Sequence, residues 1–313
     1  MSKKRFRYNG VLNVNKPTAM TSHDVVDRVR EITRMRKIGH TGTLDPMATG
    51  VLPLCLGHAT KVAQFLLAVD KEYVVEMILG KTTTTQDTTG ELIEERPVPE
   101  ISLEELDRLL DGFRGEIDQI PPMVSAKKYK GERLYKMARE GREIEREPCR
   151  VTLYELELQK LELPIIRFRM VCSKGTYVRT VCHDIGEAIG CGAAMCGLIR
   201  TRCGTFRIED AIPLEDLEKQ NSLERHLASL DEALAIYPAL RVAEREAAEV
   251  GHGMAVTGSG ILNRTGPFEA GSLVRIQNRD GELIAIAKAL LCSEKIETIG
   301  SNLKTIQPVK VFH

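Results

Sequence analysis

Apolar positions alternate with polar ones, or recur every third or fourth residue, along most of the chain, and these two periods mark its elements. GVLNVNKP, residues 10–17, reads as a short strand that ends at Pro17. Thr21 or Ser22 then caps a helix with Val25, Val26, Val29 and Ile32 on one face. A glycine-rich loop is followed by VLPLCLG and by a helix expected from Ala59 to Ala68. KEYVVEMILG is rich in β-branched residues and reads as a central strand with Tyr73 near its start. Ser102 and Glu105 form a capping box for a helix carrying Leu103, Leu106, Leu109 and Leu110. VTLYELELQKLEL and IIRFRMVC read as strands; in the second, Ile166, Phe168, Met170 and Cys172 alternate with Arg167 and Arg169. The turn Ser173-Lys174-Gly175 leads into a helix bearing Tyr177, Val178, Arg179, Val181, Cys182, Ile185 and Ile189, with Gly190 as its C′ residue. A further strand is expected from Leu198 to Ile208.

The periodicity lapses twice. From Gln119 to Arg150 it is broken by Pro121-Pro122, after which basic residues run from Lys127 to Arg150, diluted by glutamates. This segment reads as an insertion with one short helix around Leu134 to Glu140. Near Pro238 the segments become short: SLVRIQ and ELIAIAKAL flank a turn at Asn278–Gly281, as in a small β-rich module. Mixed strands and helices followed by such a module give an α+β fold, divided at residues 1–240 and 241–313.

Composition narrows the function. The 313 residues suit two domains, and 44 Lys and Arg balance 44 Asp and Glu. A nucleic-acid partner would therefore need a local basic face, which the 119–150 segment supplies. Tryptophan is absent and aromatic residues make up 4%, so base stacking would rest on few side chains. The basic start MSKKRFRYNG lacks the apolar stretch of a signal peptide, and no run of about 18 apolar residues occurs. A cytoplasmic protein with no membrane contact is the expectation. The eight cysteines, including Cys182, Cys191, Cys196 and Cys203 near His183, match no zinc spacing and read as reduced structural thiols. Without G-x-G-x-x-G or a P-loop, neither a dinucleotide nor a nucleoside triphosphate is expected.

The chemistry concentrates in GHTGTLDPMATG, Gly39 to Gly50, whose single carboxylate is Asp45. Pro46 disfavours helix at Asp45, and glycines on both sides permit backbone shapes other residues resist. An Asp-Pro pair in a glycine-rich loop is by itself most often a turn. Three companions point further: Tyr73 at the start of a buried strand, Arg179 on the first turns of a helix, and Lys16-Pro17 ahead of the first helix.

In order along the chain, NVNKPTAMTSHDVV, GHTGTLDPMATGVLPLCLGHATK, KEYVVEMILGKTTTTQDTTG, QIPPMVSAKKYKGERLYKMAREG and CSKGTYVRTVCHDIGEAIGCGAAMCGLIRTRCGTF closely resemble TruB-type tRNA pseudouridine synthases, from about Gly10 to Leu217. The C-terminal module resembles a PUA domain. The resemblance implies a mixed, mostly antiparallel central sheet flanked by helices, an RNA-clasping thumb at 119–150, and a small C-terminal barrel. It implies isomerisation of the T-loop uridine of tRNA, position 55, by a monomer that needs no cofactor, metal or protein partner. By the same resemblance Asp45 is the essential catalytic aspartate, Arg179 its ionic partner, and Tyr73 a stacking residue whose hydroxyl exchanges a proton. Leu198 packs on the target base, and His40 fills the stack once the base is extruded. Lys16, Lys61 and Lys174 are phosphate or loop-organising contacts, Tyr177 joins the RNA-binding set, and Asp87 positions the loop or the RNA. Two residues depart from the pattern: Val124, where an aromatic is common, and Ala19, where glycine is common. Whether Asp45 attacks C1′, attacks the base, or removes a C2′ proton stays open.

Two other readings share these residues. A guide-RNA-dependent synthase of the dyskerin type carries the same Asp loop, although the insertion and the small terminal module favour the stand-alone form. A non-catalytic tRNA-binding or folding factor would make Asp45 merely structural.

Overall fold

The computed structural model describes residues 6–219, 223–298 and 303–312. The first five residues of the basic start lie outside that set. The main sheet runs in the order Ile212–Pro213, Gly10–Lys16, Thr49–Leu56, Ala193–Cys203, Lys71–Leu79, Ile165–Cys172, Cys149–Glu162 and Gly115–Gln119. Gly10–Lys16 with Ile212–Pro213, and Thr49–Leu56 with Ala193–Cys203, pair in parallel. The other neighbours along this path are antiparallel, so the sheet is mixed and mostly antiparallel.

The sheet has two different faces, and the difference places the site. Lys71–Leu79 buries every second residue, so Tyr73, Val75 and Met77 point into one core. Leu12, Val14, Leu52, Leu54, Phe168, Met170 and Leu198 join them, with Val25, Val29 and Val181 from the helices Ser22–Thr33 and Val178–Ile189. On the other face, Val11, Val51 and Cys55 pack with Val62, Phe65, Leu66 and Ile286 of the C-terminal module.

Most boundaries follow local chemistry. Thr21, rather than Ser22, caps the first helix: its hydroxyl accepts from the Asp24 amide at 3.1 Å and the Asp24 carboxylate accepts from the Thr21 amide at 2.7 Å. Ser102 and Glu105 cap Leu103–Asp111 in the same way, and Gly190 closes Val178–Ile189 in the left-handed conformation. Two expected elements shift. Residues 59–68 form a 3₁₀ turn, Gly57–Lys61, followed by a short helix, Ala63–Leu67. The strand expected at 198–208 begins at Ala193 and stops at Cys203, because Gly204, at φ 58°, turns Phe206–Arg207 back against Arg202 and Cys203.

The 119–150 segment carries a small hairpin, Lys128–Tyr129 with Glu132–Arg133, and a helix, Leu134–Arg139, which buries Leu134 and Met137. In the C-terminal module six strands follow the order Val256–Thr257, Lys304–Val311, Leu283–Ala289, Leu273–Gln277, Ala239–Val242 and Ile261–Arg264. Ala239–Val242 belongs to this sheet, so the module starts ahead of the 240/241 division read from sequence. Buried Arg275 ties it to the preceding segment through Asp231, at 2.5 Å, and the Tyr237 carbonyl, at 2.9 Å. All eight cysteines are free, and among the described residues no cluster of His, Cys, Asp and Glu could hold a metal.

Candidate active site

The Asp45 loop is held largely by its backbone, which leaves the carboxylate to pair with Arg179. Ser22, freed from capping, accepts from the Leu44 amide at 2.8 Å and donates to the Leu44 carbonyl at 3.2 Å. The Thr41 amide and hydroxyl both donate to the Pro53 carbonyl. Lys16 is fully buried, and its ammonium donates to the carbonyls of Pro17, Pro46 and Ala48 at 2.9, 3.2 and 2.6 Å. Burial brings its pKa down to about 8 against the upward pull of Asp45, so the ammonium form prevails at neutral pH. Of the two roles expected for Lys16, these contacts are those of a loop organiser.

Ala19 donates to the Pro46 carbonyl at 2.9 Å from a left-handed backbone, φ 62°. An L-residue with a Cβ is strained there, which explains why glycine suits this turn. Ala19→Gly is therefore expected to stabilise the protein by roughly 1 kcal/mol. Chemical denaturation that gave an unchanged or lower unfolding free energy would refute that.

Arg179 sits on the first turn of Val178–Ile189 at 5% exposure, and its guanidinium makes four contacts. Nε meets Asp45 Oδ2 at 3.0 Å. Nη1 donates to the Thr85 carbonyl at 2.8 Å and lies 3.6 Å from Asp87 Oδ2; Nη2 donates to the Val124 carbonyl at 2.8 Å. Asp87 is itself fixed: its Oδ1 accepts from the Thr85 hydroxyl and from the amide and hydroxyl of Thr89. It buttresses Arg179. The Val124 side chain is exposed while its carbonyl holds Arg179, so the departure from an aromatic leaves this contact intact. Gln119 clasps Tyr177, the N-cap of the same helix, accepting from its amide at 2.7 Å and donating to its carbonyl at 3.0 Å. The base of the insertion and the start of the Arg179 helix are therefore one unit.

Asp45 keeps about a third of its side chain open, at 34%. Its pKa is raised, first by burial, with Arg179 pulling it down, Asp87 pushing it up and Lys16 pulling it down. Tyr73, buried opposite Arg200, has its pKa raised by burial, so the hydroxyl stays protonated and can donate. His40 is held below its ordinary pKa by burial and then by Arg200. Its Nδ1 accepts from the Gly42 amide at 3.3 Å, which leaves the neutral ring's proton on Nε2. Leu198 is buried on the Tyr73 face of the sheet.

The structure thus pairs Asp45 with Arg179, backs that pair with Asp87, and places Lys16 beneath the loop. Tyr73 and Leu198 share its core with Leu44, next to Asp45. Tyr177 is half-buried, Lys174 is exposed on its turn, and Lys61 lies on the 57–61 turn. Among the described residues no hydrogen bond or ion pair joins Lys61 or Lys174 to the Asp45 group. Sequence reasoning missed Ser22 as a clamp, Gln119, and Arg200. Strand alternation carried the signal for the last: if Leu198 faces inward, so does Arg200.

Residues 30–178 match the N-terminal domain of the TruB family of pseudouridylate synthases, residues 179–235 the tRNA pseudouridylate synthase B C-terminal domain, and residues 238–311 the PUA domain. The chain is 44% identical over 289 residues to the tRNA pseudouridine synthase B of Pelotomaculum thermopropionicum, covering 90% of this chain and 91% of that one. With the protein of that name from Syntrophus aciditrophicus it shares 40% over 309 residues, 97% of this chain and 99% of the other. Among solved structures it is similar to one chain of a Cbf5-Nop10-Gar1 complex, with TM-score 0.78 and 31% identity, covering 97% of this chain and 85% of that chain. A chain of an H/ACA RNP bound to a substrate RNA containing 2′-deoxyuridine gives TM-score 0.76 and 29% identity, with coverage of 97% and 85%.

Proposed function

Because this chain belongs to the TruB family of pseudouridylate synthases, we propose that it isomerises the T-loop uridine of tRNA, position 55, with Asp45 as the essential catalytic group. The observation that carries the reading is the 3.0 Å pair between Asp45 and Arg179, built from the two motifs of the family resemblance.

In the reaction the bond from C1′ to N1 breaks, the uracil turns, and C1′ bonds to C5, whose hydrogen leaves to solvent as a proton while N1 takes one up. Asp45 serves any of the three possible first steps only as a carboxylate. Arg179 keeps it charged and aimed despite burial. The target base must leave the stack, at a cost of a few kcal/mol, and a side chain that fills the gap offsets part of that cost. His40, a neutral ring beside the loop, suits that wedge. Tyr73 offers a ring to stack on the uracil and a protonated hydroxyl to donate. The basic 119–150 segment closes on the T-arm, and its coupling to Arg179 through Val124 and Gln119 connects RNA contact to the catalytic pair.

Purified protein is expected to release tritium from a bare tRNA transcript labelled at uridine C5, with the pseudouridine mapping to position 55. Release that required added proteins and a guide RNA would favour the guided type. No release under either condition, with tRNA refolding intact, would favour the folding factor.

A further inference from the structure

We propose that Arg200 is a positioning residue for this isomerisation, fixing both flanks of Asp45 against the strand position that faces Tyr73, so that carboxylate and tyrosine meet the same base in one register. The inference rests on the uridine-isomerising reading above and adds a residue to it.

Arg200 lies two positions after Leu198 on the Ala193–Cys203 strand, on the same inward face, and its antiparallel partner is Tyr73. It is 1% exposed and heads the large, fully buried side chains. Among the described residues no carboxylate lies within ion-pair distance of it. A guanidinium taken out of water without an anion is costly, so its neutral acceptors are decisive. Nε donates to the Val51 carbonyl at 2.6 Å and Nη2 to the Gly42 carbonyl at 3.3 Å. Gly42 precedes Asp45 and Val51 follows it, so one rigid plane spans the catalytic carboxylate from both sides.

The backbone of Arg200 makes a second contact with the same loop. Gly50, at φ 100°, pairs with Arg200, and a Cβ there would come within 2.3 Å of the Arg200 carbonyl oxygen. Only glycine lets the loop end press against this strand. The third link is Tyr73, the cross-strand partner of Arg200, buried on the same face of the sheet. Lys16 divides the work with Arg200, holding Pro46 and Ala48 while Arg200 holds Gly42 and Val51. Fixed charges that grip carbonyls on both sides of Asp45 suit a site whose carboxylate must meet its target with sub-ångström precision.

Arg200→Lys keeps the charge but cannot reach Gly42 and Val51 from one plane. Its single-turnover rate of pseudouridine formation is expected to fall on the order of 10²-fold, the cost of a misplaced reacting group, with tRNA affinity unchanged. Adding Tyr73→Phe to Arg200→Lys should cost less than Tyr73→Phe costs in the parent, because the carboxylate that shares the base with the hydroxyl is already misplaced. A parental rate in Arg200→Lys, a loss confined to tRNA affinity, or strict additivity with Tyr73→Phe would overturn the proposal. If circular dichroism shows Arg200→Lys unfolded, Arg200→Gln decides, since its amide is planar but too short to span Gly42 and Val51: slower turnover with intact affinity supports the proposal, and parental turnover refutes it. The parent assayed in parallel separates the two levels, because a parent that binds tRNA but forms no pseudouridine overturns the reading of the reaction itself.

Discussion

Asp45→Asn is expected to bind tRNA as the parent does and to form no measurable pseudouridine. The amide matches the carboxylate in shape but neither attacks carbon nor takes a proton at neutral pH. The expected loss is roughly 10⁴- to 10⁶-fold in rate, the scale of removing a group that reacts directly. Binding survives because Lys16, Ser22 and Thr41 hold the loop through main-chain atoms and Leu44, without using the Asp45 side chain. Stability gives an independent check with a definite sign. The folded pKa of Asp45 is raised, so the unfolded chain ionises this group more readily than the folded one does. Such a group subtracts stability above its unfolded pKa, and the penalty disappears as pH falls through the folded value. The asparagine protein should therefore melt at or above the parent's temperature at pH 7, with the gap closing in acid. A lower melting temperature at pH 7 would mean that attraction to Arg179 outweighs burial. Turnover at the parental rate would remove Asp45 from the chemistry altogether.

The sheet strands and capped helices were legible because each carries its own signal. Lys71–Leu79 alternates, and Ser102 with Glu105 announces a helix start. The Asp45 loop was legible for a different reason: such a loop is by itself most often a turn, but Tyr73, Arg179 and Lys16-Pro17 accompany it in the order of the family motifs. Local pattern failed where a long-range partner decides. Lys16 reads as a phosphate or loop-organising contact with nothing local to announce its burial, yet it is buried because three main-chain carbonyls of a distant loop and its own turn converge on it. Ser22 reads as a cap, yet Thr21 takes that role and leaves Ser22 to clamp Leu44. Gln119 carries no chemical signature at all; its importance comes from lying opposite the uncapped amide of Tyr177. Arg200 was concealed by composition, since an arginine in a strand that also holds Arg202 invites an exposed reading. The alternation that turns Leu198 inward was the stronger guide.

Arg179→Lys should slow pseudouridine formation on the order of 10²- to 10³-fold while leaving tRNA affinity near that of the parent. The substitution keeps the charge and so isolates geometry. The guanidinium serves Asp45, Thr85, Asp87 and Val124 from one plane. An ammonium is a compact point charge on a flexible stem and cannot hold four fixed directions. If it stays with the carbonyls of Thr85 and Val124, Asp45 loses orientation; if it follows Asp45, the loops around Thr85 and Val124 lose their common anchor. Either way the carboxylate no longer meets the ribose or the base at a defined angle. Affinity should hold because Arg179 is almost wholly buried and contributes little surface to the RNA. Filter binding with labelled tRNA and single-turnover tritium release separate the two effects. Matching losses in affinity and rate would instead make Arg179 an RNA contact and transfer the orientation of Asp45 to Lys16 and Arg200, the other buried cations that grip its loop.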